Sequence, residues 1–192
     1  AVSQGSHCLN DLLHRWSTGN LAIDIVGVVS NHEAQRRLSE WHGVPFYYLP
    51  VSDANRAEQE AAILDVMARG GAEYLVLARY MQVLSQDLSA KLAGRCINIH
   101  HSFLPGFKGA KPYHRAEERG VKLIGATAHF VTSDLDEGPI IEQAVERVDH
   151  RDSVDELIRI GRDTEAQVLA RAVRWVAEQR VLIDGRKTVV FR

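Results

Sequence analysis

Cysteine is nearly missing from this sequence. Cys8 and Cys96 are the only two among 192 residues, and they share no CxxC spacing, which argues against a disulfide framework or a thiolate zinc site and suits a reducing compartment. A surplus of charge is missing too: 23 Lys and Arg stand against 25 Asp and Glu. Without a basic excess there is no electrostatic footprint for nucleic acid and no polybasic surface for a membrane. No secretory leader pattern and no apolar run of about 18 residues is found, so a cytoplasmic, soluble protein is expected. The dinucleotide fingerprint GxGxxG does not follow the first apolar strand, and the metalloprotease pattern HExxH does not occur. Internal repeats and low-complexity linkers are also lacking. What remains is a chain of one-domain length with enough apolar residues for a real core, and a small polar ligand as the simplest partner.

The patterning fills in the class. SHCLNDLLHRWST sets Leu9, Leu12, Leu13 and Trp16 at helical spacing behind Ser6, with Gly19 as a stop. AIDIVGVVS, PFYYLPV, EYLVLARY and RCINIHH read as buried strands, separated by helices around EAQRRLSEW, NRAEQEAAILDVMARGG and SQDLSAKLAG. That alternation predicts an α/β fold with a doubly wound, mostly parallel sheet flanked by helices. After Pro105 a glycine- and proline-punctuated loop leads into a short helix. VKLIGATAHFVT and PIIEQAVERV then read as two long strands joined by SDLDEG, followed by a helix over about residues 153 to 179. VLIDGRKTVVF predicts a terminal β-hairpin turning at Asp184-Gly185. The opening AVS reads as the last residues of a strand.

INIHHSFLPG carries the chemistry. Residues two apart in a strand share a face, so Asn98 and His100 project together while Ile97 and Ile99 pack the other way and His101 points off that face. At the C-terminal end of a central strand this pair opens into the crevice where doubly wound sheets bind ligands. An amide there can donate to an oxygen gaining negative charge, and an imidazole can move a proton near neutral pH. A carboxylate is still needed, and DLDEG offers Asp134, Asp136 and Glu137, among which spacing does not choose. The same Asn and His taken alone fit a plain polar end to a core strand better.

INIHHSFLPGFKGA followed by GATAHFVTSDLDEGPII resembles the formyl transferase family that uses 10-formyltetrahydrofolate. There the catalytic trio is an Asn-x-His on a strand and an Asp just before a Gly-Pro turn. The resemblance covers nearly the whole chain and implies a formyltransferase-like, Rossmann-like catalytic domain over residues 1–192. The regulatory ACT domain and most of the first strand that precede it in the most similar branch are expected to be lacking from this stretch. Position by position, it implies Asn98, His100 and Asp136 as the catalytic trio. It implies a pteridine site along Met81, Gln82, Val83 and Leu84 and the loop of residues 133 to 138, hence Asp134, Glu137 and Gly138. Gln82 stands where some transferases have arginine. His129, close to the aspartate in that family, and His101 and Lys111, which mark the branch, are implied as further residues of the substrate site.

That branch, marked by His100-His101, KPYHRA, GRDTEAQVLARAV and SHCLNDLL, hydrolyses 10-formyltetrahydrofolate to formate and tetrahydrofolate. This implies a hydrolase feeding one-carbon units to purine synthesis, with no cofactor beyond the folate substrate. A homo-oligomer is the expected assembly. The alternative is transfer of the formyl group to glycinamide ribonucleotide. In those enzymes a glycine-rich turn ending Gly-Ser-Asn holds the substrate phosphate at a helix start; here Gly5-Ser6-His7 replaces the Asn, which favours water as acceptor. A zinc hydrolase built on His100, His101, His114 and His129 has no ligand-pair spacing to support it. A folate sensor would keep the pteridine segment and lose the trio, whereas all three residues are present.

Overall fold

The computed structural model describes residues 1–104 and 112–192. Its elements run α1 (His7–Ser17), β1 (Val28–Ser30), α2 (Arg36–Trp41), β2 (Phe46–Tyr48), α3 (Arg56–Gly70), β3 (Leu75–Leu77), α4 (Gln86–Lys91) and β4 (Cys96–His100). They continue with α5 (Pro112–Glu118), β5 (Leu123–Phe130), β6 (Ile140–Arg147), α6 (Val154–Ala177), β7 (Val181–Asp184) and β8 (Lys187–Val190). The Pro105-Gly106 break and Lys111 lie outside the described residues.

The α/β alternation holds, and the sheet is mixed. β1 pairs with β2 and β3 with β4 in parallel, while β4–β5 and β5–β6 are antiparallel. The mostly parallel expectation therefore describes the first half of the chain. In the second half β5 passes to β6 through a loop with no crossover helix, and such a connection reverses strand direction. Residues 1–3 bridge the two parallel pairs. Val2 N–H donates to Val29 O at 3.0 Å and Ser3 N–H to Arg79 O at 3.2 Å, while the Ala1 amino group donates to Val76 O at 2.7 Å.

Local chemistry explains most boundaries. The β1 ladder begins at Val28↔Phe46, although the apolar run starts earlier, because Pro45 has no N–H to extend the pairing. Ser6 occupies the N-cap of α1 with helical φ/ψ and makes no side-chain cap. Ser153 does cap α6, through a reciprocal box with Glu156. The terminal hairpin pairs Asp184 with Lys187, so its turn is Gly185-Arg186, one residue later than the sequence suggested, with Gly185 at φ 60°.

Two apolar layers sandwich the sheet. On one side Ile97, Ile99, Ala126 and Ala128 pack with Cys8 and Leu12 of α1 and Val168, Leu169 and Val173 of α6. On the other, Leu75, Leu77 and Cys96 meet Ile63, Val66 and Met67 of α3 and Leu88 of α4. The alternation of β4 thus sends Ile97 and Ile99 toward α6, while Asn98 and His100 continue the row begun by Cys96.

Candidate active site

The C-terminal end of β4 carries two adjacent groups from the expected trio, and the β5–β6 loop brings the third. His100 Nδ1 lies 3.2 Å from Asp136 Oδ1. In the ladder Asn98 faces His129 of β5, and Asn98 Nδ2 stands 3.2 Å from His129 Nε2. His129 Nδ1 is 2.8 Å from Phe130 O, a carbonyl that can only accept, so Nδ1 carries the proton. In the neutral ring Nε2 then accepts from the Asn98 amide. This orients the amide and leaves its second N–H to donate elsewhere. His129 Nε2 also approaches Asp136 Oδ1 at 3.7 Å. His129 is therefore buried against two of the three expected catalytic residues.

The loop that delivers Asp136 is held by sterics. Asp136 has φ 58°, a left-handed conformation that aspartate tolerates better than most side chains. Two residues on, a Cβ at Gly138 would sit 1.7 Å from Phe130 O, so only glycine lets the loop return across the end of β5. Burial pushes the Asp136 carboxyl up, but the N–H of the facing His100 ring outweighs it and holds the group well below the usual carboxylate range. Asp136 is an anion at neutral pH. As an anion it accepts from His100 Nδ1–H, which leaves the lone pair on Nε2. That atom is buried and has no hydrogen-bond partner among the described residues.

Around this cluster opens a cleft of about 290 Å³. Met81, Gln82, Val83 and Leu84 form one wall, and Asp134, Leu135 and Asp136 face them from the loop. Ser3 Oγ accepts from Met81 N–H at 2.9 Å and Arg56 donates to Val83 O at 2.9 Å. At the far end Glu60 accepts from the Ser85 N–H at 2.7 Å and from its hydroxyl. Met81 and Val83 are 59% and 60% exposed; two apolar side chains held outward on a pinned segment suit contact with a flat ring. Glu137 and Gly138 are not among the cleft's walls. Glu137 lies 3.5 Å from Arg186 of the terminal hairpin, and Gly138 does its work in packing.

His101 departs from the expectation that it points away. β4 ends at His100, so strict alternation ends too, and the two imidazoles stack with centroids 4.7 Å apart and an interplanar angle of 21°. Both border the cleft. The following segment is pinned by Thr127, whose hydroxyl accepts from Leu104 N–H at 3.0 Å and donates to Ser102 O at 2.9 Å.

A larger cavity of about 440 Å³ lies alongside, at the start of α1, and shares Arg79, Met81 and His101 with the cleft. Its polar centre is Glu165 of α6, 1% exposed, which accepts from His7 Nε2 and the Tyr113 hydroxyl at 2.8 Å each and lies 3.3 Å from Arg79 Nε. Sequence reasoning missed Arg79, Tyr113 and Glu165. A signal existed for Glu165: it falls on the stripe of Leu157, Gly161, Val168 and Leu169, and a carboxylate on a buried stripe requires partners. Nothing in the sequence marks Arg79.

Among the described residues, His7, Cys8 and Glu165 alone gather potential metal-ligand atoms within 4.8 Å of one another. Arg79 already faces the carboxylate there, and burial pushes the Cys8 thiol far up, away from the thiolate a metal would need. His114, part of the zinc alternative, is exposed on α5.

Comparison with known proteins places the chain in a family. The formyl transferase family pattern matches residues 1–173. The formyltetrahydrofolate deformylase of Corynebacterium sp. (strain P-1) is 56% identical over 191 residues, covering 100% of this chain and 67% of that protein. That of Bacillus subtilis is 54% identical over 190 residues, covering 99% and 63%. The chain thus spans about two thirds of the length of these relatives. The crystal structure of the Burkholderia mallei formyltetrahydrofolate deformylase superposes with a TM-score of 0.96 at 61% identity, over 100% of this chain and 68% of that one. Glycinamide ribonucleotide transformylase 1 from Symbiobacterium toebii gives 0.91 at 30% identity, over 100% and 92%. By the family match and these identities, the chain belongs to the formyl transferase family, in its formyltetrahydrofolate deformylase branch.

Proposed function

We propose that this chain hydrolyses 10-formyltetrahydrofolate to formate and tetrahydrofolate, with Asn98, His100 and Asp136 as the catalytic residues. The observation that carries the reading is the His100–Asp136 pair, 3.2 Å apart, set beside the oriented amide of Asn98 at the end of the cleft. Water must add to a formamide carbon, generating a tetrahedral oxyanion, and the C–N bond then breaks with a proton delivered to the departing nitrogen. The second N–H of Asn98 is the donor for the oxyanion, an interaction worth about 3 kcal/mol at the transition state. His100 takes the proton from water at Nε2 and returns it to the leaving nitrogen. Asp136 holds the Nδ1–H tautomer and stabilises the imidazolium formed in passing. Its depressed pKa makes it a poor proton acceptor in its own right, which supports this division of labour.

In this reading the pteridine lies along Met81 to Leu84 and the Asp134–Asp136 loop, with His129 behind the amide. Lys111 and His101 are the further candidates near the substrate. Formate released this way is a one-carbon unit available to purine synthesis. The formyl transferase alternative is disfavoured by 54–56% identity to the deformylases against 30% to the transformylase, and by His7 at the helix start, which is engaged with Glu165. No helix among the described residues is long and apolar enough to cross a membrane, and two buried free cysteines suit a cytoplasmic setting. Leu182, Ile183 and Phe191, exposed on the terminal hairpin, support the homo-oligomer, which a mass measurement in solution checks.

The test is direct. Purified protein is mixed with 10-formyltetrahydrofolate with and without glycinamide ribonucleotide, and formate is followed. Formate without the amine is the expected result; formyl transfer that requires the amine overturns the proposal.

A further inference from the structure

Of the residues shared by the cleft and the second cavity, Arg79 bonds into both. Arg79 follows β3 with φ 64°, a left-handed backbone that is uncommon for a long side chain and is kept only where its surroundings demand it. Its Nε lies 3.3 Å from Glu165 Oε2 and its Nη1 lies 2.9 Å from His101 Nδ1. His101 in turn stacks on His100, the proposed proton carrier. A continuous line therefore runs from the buried carboxylate of α6 through a guanidinium to the paired imidazoles.

The hydrogen-bond roles along this line are set by chemistry. A guanidinium only donates, so His101 Nδ1 must accept and its proton sits on Nε2. The Asp136 carboxylate only accepts, so His100 carries its proton on Nδ1. The two stacked rings are thus opposite tautomers. An imidazolium at His101 would turn an N–H against the guanidinium, which Arg79 opposes both sterically and electrostatically.

We propose that Glu165 and Arg79 are positioning residues for the hydrolysis: together they lock His101 as the neutral Nε2–H tautomer beneath His100, so that the stacked pair takes up a single proton and places it on His100. This rests on the assignment of His100 as proton carrier. Glu165 acts at the remote end, because a guanidinium bonded at Nε can present Nη1 in one direction only. Three contacts fix the carboxylate itself: the Tyr113 hydroxyl, His7 and Arg79. Gly161 makes room for the first, since a Cβ there would meet the Tyr113 hydroxyl at 1.9 Å. Glu165 does not border the cleft, so its effect reaches the reaction through Arg79 and His101.

The experiment compares Glu165→Gln, Arg79→Met and His101→Phe with the unaltered protein, by steady-state formate release and by ring-nitrogen NMR of the histidines. Glu165→Gln and Arg79→Met are each expected to lower kcat about ten- to hundredfold, the usual cost of losing a group that orients a reacting side chain, with KM for the folate changed less than about threefold. Their double variant is expected to be no worse than the more damaging single one, as for two parts of one device. In the unaltered protein His101 Nδ1 is expected to show the shift of an unprotonated acceptor, and both variants to lose it. His101→Phe keeps a stacked ring without the acceptor and is expected to lose kcat as Arg79→Met does, which carries the test if Arg79→Met fails to fold. Unchanged kcat in folded Glu165→Gln or His101→Phe, an additive double variant, or a His101 ring signal indifferent to Glu165 overturns the proposal. Absence of formate release from the unaltered protein sinks the catalytic assignment instead, and the ring spectra then decide the tautomer lock on their own.

Discussion

Two sites in this molecule are made of the same ingredients and behave differently. The cleft gathers one aspartate with His100 and His129, and the neighbouring cavity gathers one glutamate with His7, Arg79 and Tyr113. Around Glu165 both carboxylate oxygens have partners, and its side chain is 2% exposed. In the cleft, among the described residues, His100 Nε2 is buried with no partner, and Asn98 Nδ2 spends one of its two N–H groups on His129. A satisfied polar cluster holds structure in place; one with buried capacity to spare is arranged for a guest that completes it. The difference teaches where chemistry can happen even though the cavity around Glu165 is the larger of the two.

The comparison can be broken first at Glu165. Glu165→Ala leaves Arg79 and His7, each about a fifth exposed, without their shared anion, and a loss of about 2–4 kcal/mol of folding stability is expected by denaturant titration, water reaching the two cations in part. A change under about 1 kcal/mol would mean that the cluster is not structural. At the cleft the expectation is inverted. His100→Ala and Asp136→Ala should each lower kcat at least about a hundredfold while leaving the denaturation midpoint far less affected than Glu165→Ala does. Near-normal formate release by either would remove the catalytic assignment.

The smallest effect concerns pH and sharpens the contrast from the acid side. Both carboxyls are held below their ordinary values, burial opposing and the partners prevailing: His100 for Asp136, and His7 with Arg79 for Glu165. The unfolded chain therefore binds more protons than the folded one below a pH of about 4. The stability these groups contribute is complete above that pH and is lost as pH falls through their folded values. Asp136→Asn and Glu165→Gln should each flatten the acid slope of stability measured by thermal melts. An unchanged slope in both would show that neither carboxylate is held by its partners.

Much of the fold was legible because its signals are local. The two-residue period of RCINIHH puts Asn98 and His100 on one face, and β4 does so. The apolar stripe of α6 and the β-rich flanks of the last turn are equally direct. The β1 boundary was not, because it depends on Pro45 in another strand. The antiparallel pairing of β4 with β5 was not either, since a run of apolar residues reads the same whichever way its neighbour runs.

At the site, spacing left Asp134, Asp136 and Glu137 open. The loop conformation separates them: Asp136 adopts φ 58° and turns to His100, Asp134 lies along the wall, and Glu137 points to Arg186. Gly138 was placed with the substrate by resemblance, yet its need for a bare Cα comes from Phe130 O. His101 was kept as a candidate by resemblance but placed off the working face by an alternation rule that stops where the strand stops.

The sequence by itself determined the elements, the shared face of Asn98 and His100, and the family, because each is written in residues close along the chain. The tertiary structure alone decided which acid faces the imidazole, that two histidines stack, and that Arg79 ties them to Glu165. The stack joins neighbours that the end of the strand turns together, and the other contacts join residues 22, 36 and 86 positions apart, where packing of the whole sheet and its helices rather than any local pattern settles which side chains meet.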